Sequence, residues 1–296
     1  MLETHEIRYF VVLARELHFS RAAEKCCISQ PALTRAIRKM EAKLGGLLFD
    51  RRPGIVSLTE LGQTILPRLE MALAEIQQAK TEAAALATAK PATARIGVMC
   101  TSGPSHIVPV LISCADRQDD VALKIIEARA ATVVDRLLAG DIDIGIAAWP
   151  SYPPEIEHSA CYTERYAIAV PESHVLAPLD TVPLDQLAGE TYLERLNCEF
   201  DAHFASQVGE WTVDMDVGIS SELEDWIQCL VAHGRGIAIV PEFMPVMAGI
   251  RLVPLDGPSI SRTLSILTAR GRRLARPIER LLADLRSVDW SRRVRG

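Results

Sequence analysis

The stretch Ser29–Gly45, SQPALTRAIRKMEAKLG, leaves few folds open. Leu33, Ile37, Met40 and Leu44 recur at spacings of four, three and four, which stacks them on one face of a helix. Ser29 is a natural cap, Pro31 is tolerated in the first turn, and Gly45 is a natural stop. The opposite face carries Pro31, Thr34, Arg35 and Arg38, with Gln30 at the tip. An apolar back and a front of guanidinium, amide and hydroxyl groups suit a DNA major groove. Arg and Gln side chains bond base edges in pairs, while Ser, Thr and Lys hold phosphates. An amphipathic helix with a solvated basic face has the same pattern, so the flanking sequence decides.

Upstream, His5–Leu17 reads as a helix with the stripe Ile7, Phe10, Val11, Ala14 and Leu17. Ser20 is expected to cap a short second helix, Arg21–Cys27, and Ile28 sits in the turn before Ser29. A short helix, a tight turn and a polar-faced helix make a helix-turn-helix. Downstream, GLLFDRRPGIVSLT predicts a small hairpin whose tip is Arg51-Arg52-Pro53-Gly54. The expected DNA contacts are Ser20, Arg21, Ser29, Gln30, Pro31, Thr34, Arg35, Arg38, Arg51 and Arg52.

Thr59 opens a long helix. Ile65, Leu69, Ala72, Ile76, Ala79, Ala83 and Leu86 follow a 4-3-4-3-4-3 spacing, the seam of a coiled coil, which predicts dimerisation through this helix. The competing reading is a helix packed on its own domain. Thr88–Thr93, with Pro91, is the linker.

From Ala94 the pattern becomes strand–helix alternation. Strands are predicted at Arg95–Cys100, Val121–Glu127 and Ile142–Ala148, with helices at His106–Arg117 and Ala131–Ala139 between them, an order that implies a parallel sheet. A second run follows, with strands at Arg165–Val170, Tyr192–Leu193, Val213–Ile219, Gly236–Val240 and Thr263–Ala269. Its helices are expected near Phe200–Gln207 and at Glu222–Ala232, Glu242–Met247 and Ala275–Arg286. Two such lobes joined by crossing strands hold a ligand in the cleft between them. The CTSGP loop, Cys100–Pro104, lies between a strand and a helix, where its amides and the Thr101 and Ser102 hydroxyls form an anion or carboxylate cradle.

Charge separates the same two regions. Residues 1–66 hold ten Lys/Arg against seven Asp/Glu, and residues 94–296 hold 19 against 28, within a net charge of −6. A basic head on an acidic body expects a polyanion at the head alone. Seven cysteines, at 26, 27, 100, 114, 161, 198 and 229, include no CxxC pair, so neither a zinc site nor a disulfide framework is expected, and no cofactor. Glu3, His5, Glu6 and Arg8 break the first fifteen residues, so no secretory leader is expected. With no membrane-spanning run, a cytoplasmic chain with no membrane partner is predicted.

On these residues the chain resembles the LysR-type transcriptional regulators over essentially its whole length. The resemblance rests on Phe10, FSRAAEKC (Phe19–Cys26), SQPALT (Ser29–Thr34), IRKME (Ile37–Glu41), LGGLLFDR (Leu44–Arg51) and SLTELG (Ser57–Gly62). Looser matches are GDIDIGIA from Gly140 and GRGIAIVP from Gly234 to Pro241. It implies an α+β multidomain chain. Residues 1–58 would be a winged helix-turn-helix, 59–93 a linker helix and hinge, and 94–296 a two-lobed, periplasmic-binding-protein-like effector domain. Lobe I would span 94–163 and 265–296, and lobe II 164–264. The implied partners are double-stranded promoter DNA, a small-molecule effector or oxidant, RNA polymerase, and copies of the chain in a dimer and then a tetramer. Ala36 and Gly54 depart from the pattern, standing where many relatives carry Gln and a basic wing residue.

The implied effector contacts are Thr101, Ser102, Ala130, Trp149, Asn197 and Cys198. In RLNCEF, Cys198 stands where the peroxide-sensing, OxyR-like branch carries its reactive cysteine, which implies an oxidant-sensing alternative. Asn197 replaces that branch's histidine, Ala130 a threonine, and Gln207 stands near its resolving cysteine. Arg195 would favour a Cys198 thiolate, and Glu194 and Glu199 would oppose it. An enzyme reading would pair Cys198 with His203, but no further motif supports it, so no catalytic residue is expected.

Overall fold

A computed structural model of the chain describes residues 1–52, 55–88, 91–196, 216–256 and 261–290. It divides into two compact units. One is Met1–Lys90 with Leu138–Asp141 and Gly271–Leu274; the other is the remainder from Pro91. No helix among the described residues is long and apolar enough to cross a membrane.

The first unit begins with three helices, α1 (Thr4–Glu16), α2 (Phe19–Lys25) and α3 (Gln30–Leu44). Ser29 caps α3, its hydroxyl accepting from the Ala32 amide at 3.4 Å, and Gly45 ends it at φ 76°. The cap of α2 differs from expectation. His18 holds the extended backbone before the helix and its Nδ1 accepts from the Arg21 amide at 3.3 Å, so Ser20 already lies inside the first turn. Phe10, Leu13, Leu33, Ile37, Met40, Leu48 and Phe49 are fully buried together, each stabilising the fold by about 1.5–3 kcal/mol. The hairpin forms from β1 (Phe49–Arg52) and β2 (Ile55–Leu58), antiparallel.

Helix α4 spans Glu60–Thr88. The Thr59 hydroxyl donates to the Leu47 carbonyl at 2.7 Å and accepts from the Gly62 amide at 3.0 Å, fixing the helix start to the hairpin. The predicted seam divides. Ile65 and Leu69 pack against the three-helix core, whereas Ala72 and Ile76 are half-buried and Ala79 and Ala83 exposed. Leu86 lies beyond the described side chains.

In the second unit, β3 (Ala92–Met99) runs parallel to both β4 (Val121–Ala128) and β5 (Ile144–Ala147). Helices α5 (Pro104–Ala115) and α6 (Ala130–Ala139) make the crossovers. Asp143 ties the parallel strands, accepting from the Arg95 guanidinium at 2.7 and 3.0 Å and from its amide at 2.9 Å. The sheet then turns antiparallel. Strand β12 (Ser261–Ala269) pairs β5 on one side and β6 (Ile156–Pro171) on the other.

Strand β6 is far longer than its predicted Arg165–Val170, because its first half, IEHSACYTER, has few apolar residues and no clean alternation and is recognisable only beside β12. Its residues 156–165 pair β12, and its residues 166–171 pair β10 (Ala238–Pro241) and β11 (Ile250–Asp256). Pro254 hides β11 from sequence reading, since a proline argues against a central strand. It pairs the two-residue strand β7 (Val182–Pro183). Strands β8 (Thr191–Arg195) and β9 (Asp216–Ser221) pair in parallel beside α7 (Glu224–Ala232), and α8 (Arg276–Ser287) closes the described chain. The helix expected at Glu242–Met247 is a turn, because Pro245 has no amide to give and restrains Met244 away from helix. The helix expected near 200–207, and 213–215 of the following strand, lie outside the described residues.

Candidate functional site

The outer face of α3 has the composition predicted for it. Ser29, Gln30, Pro31, Arg35 and Arg38 are exposed and Thr34 is half-buried, as are Ser20 and Arg21 exposed on α2. Arg21 is tethered, its guanidinium donating to the Glu16 carbonyl at 3.0 Å. Among the described residues no acidic partner meets Arg35 or Arg38, which leaves both guanidinium groups available to an anion. Arg51 and Arg52 lie on β1 with only their backbone described, and the tip Pro53-Gly54 is outside the described residues.

Two buried carboxylates, neither expected from the sequence, set the pose of α3. Glu41 accepts from the Leu48 amide at 3.0 Å, holding the helix end to the hairpin. Glu6 on α1 receives Lys43 at 2.7 Å and Lys39 at 3.1 Å. Burial alone would push the Glu6 carboxyl up. The hydrogen bonds from Lys43, the Glu3 amide and Lys39 outweigh it and hold the group at about 2. A helix anchored by its apolar back, by Glu6 and by Glu41 presents its front rigidly.

The second candidate is a cleft of about 530 Å³ in the second unit. Cys100, Thr101, Glu127 and Arg129 come from the ends of β3 and β4, and Arg195, Glu222, Glu224, Asp225 and Trp226 from β8 and the start of α7. Arg129 bonds Glu222 at 2.6 Å across it. Arg195 is 4% exposed, bonding Glu224 at 2.7 Å and the Ile239 carbonyl at 3.2 Å.

Thr101 lies in this wall, but not as a free hydroxyl. Arg262 on β12 donates to its Oγ1 at 2.7 Å and to its carbonyl at 2.6 Å. Arg262 in turn meets Glu164 on β6 at 2.7 Å, with both side chains fully buried. Glu164 also accepts from the Phe243 amide at 3.3 Å. The Thr101 oxygen therefore accepts from Arg262. Ser102 is buried, and its Oγ finds no partner among the described residues. Ala130 is buried at the start of α6, and Trp149 is half-buried after β5; with Ser102 they are not among the described walls of the cleft. Asn197 and Cys198 lie outside the described residues, as do Glu199, His203 and Gln207. Sequence reasoning missed Glu164 and Arg262. The signal was there, a charge set among apolar strand residues in TERYAIAV and SRTLSILTA.

Comparison with known proteins bears on both sites. A family model described as "Bacterial regulatory helix-turn-helix protein, lysR family" matches residues 4–63, and "LysR substrate binding domain" matches 89–290. The chain is 27% identical over 282 residues to the uncharacterized HTH-type transcriptional regulator YybE of Bacillus subtilis, covering 93% of this chain and 94% of that one. It is 27% identical over 297 residues to the DNA-binding transcriptional dual regulator OxyR of Escherichia coli, covering 97% and 95%. A solved full-length OxyR variant from Pseudomonas aeruginosa superposes with a TM-score of 0.63 at 25% identity, covering 99% of this chain and 97% of that one.

Proposed function

This chain belongs to the LysR family of bacterial transcriptional regulators, and we propose that it reads promoter DNA with α3 and switches when a small effector enters the cleft beside Thr101. The observation that carries the reading is the anchored α3 with Gln30, Arg35 and Arg38 outward and no acid committed to either arginine among the described residues. On this reading residues 1–58 are the DNA-binding domain, 59–93 the linker and 94–296 the effector domain, divided near 163/164 and 264/265. Thr101, Ser102, Ala130, Trp149, Asn197 and Cys198 serve the effector side. Copies dimerise through α4 and assemble as tetramers, RNA polymerase is the downstream partner, and the protein acts in the cytoplasm without catalysing a reaction.

Footprinting on the DNA upstream of the chain's own gene tests this. Arg35→Ala and Gln30→Ala each weaken specific binding by about 1–3 kcal/mol, the worth of a bidentate base contact. Arg51→Ala weakens all sequences alike and flattens the salt dependence. Parent-like operator binding by Arg35→Ala sinks the assignment of this face.

A second reading has its own support. Besides OxyR, a Haemophilus influenzae relative named "Hydrogen peroxide-inducible genes activator" is 26% identical over 291 residues, covering 95% of each chain. On it, peroxide or hypochlorite oxidises Cys198. Cys198→Ser separates the two, since it abolishes an oxidant response and leaves a ligand response nearly intact. Thr101→Val does the reverse, raising the effector concentration needed.

A further inference from the structure

From Leu196 to Gly234 the sequence contains eight Asp/Glu and no Lys or Arg. The end of this run lines the cleft at Glu222, Glu224, Asp225 and Trp226. The facing wall adds Glu127. Only two cations, Arg129 and Arg195, line the described cleft, and each is committed to a carboxylate, Glu222 at 2.6 Å and Glu224 at 2.7 Å. Glu127 and Asp225 are both exposed, and no cation meets either among the described residues. Beside Asp225 the Trp226 ring is 65% exposed, an apolar face next to a carboxylate.

Resting on the cleft reading above, we propose that the effector is a small organic cation carrying an ammonium or guanidinium group. The exposed carboxylates of Glu127 and Asp225 repel an anion. A carboxylate ligand would lie against Glu127 and Asp225 with both arginines already neutralised. A cation instead meets Glu127 and Asp225 as charge-assisted acceptors and the Trp226 face as a cation–π platform.

The test is thermal unfolding and calorimetric titration of the full chain with L-arginine, L-lysine, putrescine and spermidine, set against L-glutamate, benzoate and citrate. At least one cation raises the melting temperature by mass action and the anions do not. The double variant Glu127→Gln/Asp225→Asn weakens that cation about tenfold or more, and Trp226→Ala weakens it several-fold. If an anion stabilises the parent and loses affinity in Thr101→Val, the cleft reading stands and the cationic inference falls. If a cation binds equally to parent and double variant, its binding is elsewhere and the inference falls too. If neither class moves the melting temperature, both readings fall together.

Discussion

Arg262→Met probes the ionic cluster beneath the cleft. The substitution keeps an unbranched stem and deletes the guanidinium. Its ion pair to Glu164 at 2.7 Å and its bonds to the Thr101 hydroxyl and carbonyl at 2.7 and 2.6 Å go with it. Glu164, whose side chain is fully buried, keeps the Phe243 amide but loses its cation. Stranding one charge of a buried pair costs about 3–5 kcal/mol. For a unit of this size each kcal/mol is worth about 2–4 °C. Calorimetric melting of the full chain should therefore show the effector-domain transition lowered by roughly 6–20 °C. The double variant Glu164→Leu/Arg262→Met should regain at least half of the loss, because replacing both charges with apolar groups leaves no buried charge unpaired. If Arg262→Met melts within about 2 °C of the parent, the pair is not desolvated as its burial implies and the reasoning fails.

Three further outcomes follow from particular contacts. Glu6 titrates at about 2 in the folded chain against an ordinary 4.5, so its contribution is complete above 4.5 and is lost as pH falls toward 2; Glu6→Gln should show a smaller acid-induced fall in helix-turn-helix stability over that window than the parent. Ile76→Glu sets a charge in the half-buried stretch of α4 beyond the three-helix core, and light scattering should show a smaller assembly; an unchanged mass removes α4 as the dimer element. Gly62→Ala would normally favour a helix by about 1 kcal/mol, but its new Cβ lies 2.3 Å from the Leu48 carbonyl oxygen, so the urea midpoint should fall rather than rise.

The elements legible in the sequence were those whose cause is local. Ser29, the four-three-four spacing and Gly45 specify α3 without help from the rest of the chain. The first half of β6 was invisible because its partner, β12, is about a hundred residues away. The Pro67 inside α4 sits within a seam whose spacing ignores it, and the division of that seam into packed and exposed halves depends on a core built from α1–α3. The outward side chains of α3, proposed to face DNA, were readable for the same local reason, as one face of one helix. The cleft was readable only as a position. Its charge balance is set by which carboxylate each arginine takes, and Arg129 and Arg195 find theirs 93 and 29 residues along the chain.

The two ion pairs near the cleft differ in burial, and the difference predicts what breaking each one does. Glu164 lies where β6 passes from β12 to the strands β10 and β11, so its cluster with Arg262, Thr101 and the Phe243 amide joins both lobes at their crossing point. Arg129–Glu222 instead spans the open mouth, with side chains 46% and 66% exposed. Such a pair contributes about 0–1 kcal/mol, so it resists opening without preventing it. Arg129→Ala should leave the melting temperature within about 3 °C of the parent. It should nonetheless shift the effector concentration for half-maximal DNA response, by at most about fivefold, since the pair biases one inter-lobe geometry by no more than its own energy. Calorimetry of the ligand-free chain and a footprint titration read the two effects separately. A melting loss as large as that of Arg262→Met would overturn this reading of the Arg129–Glu222 pair.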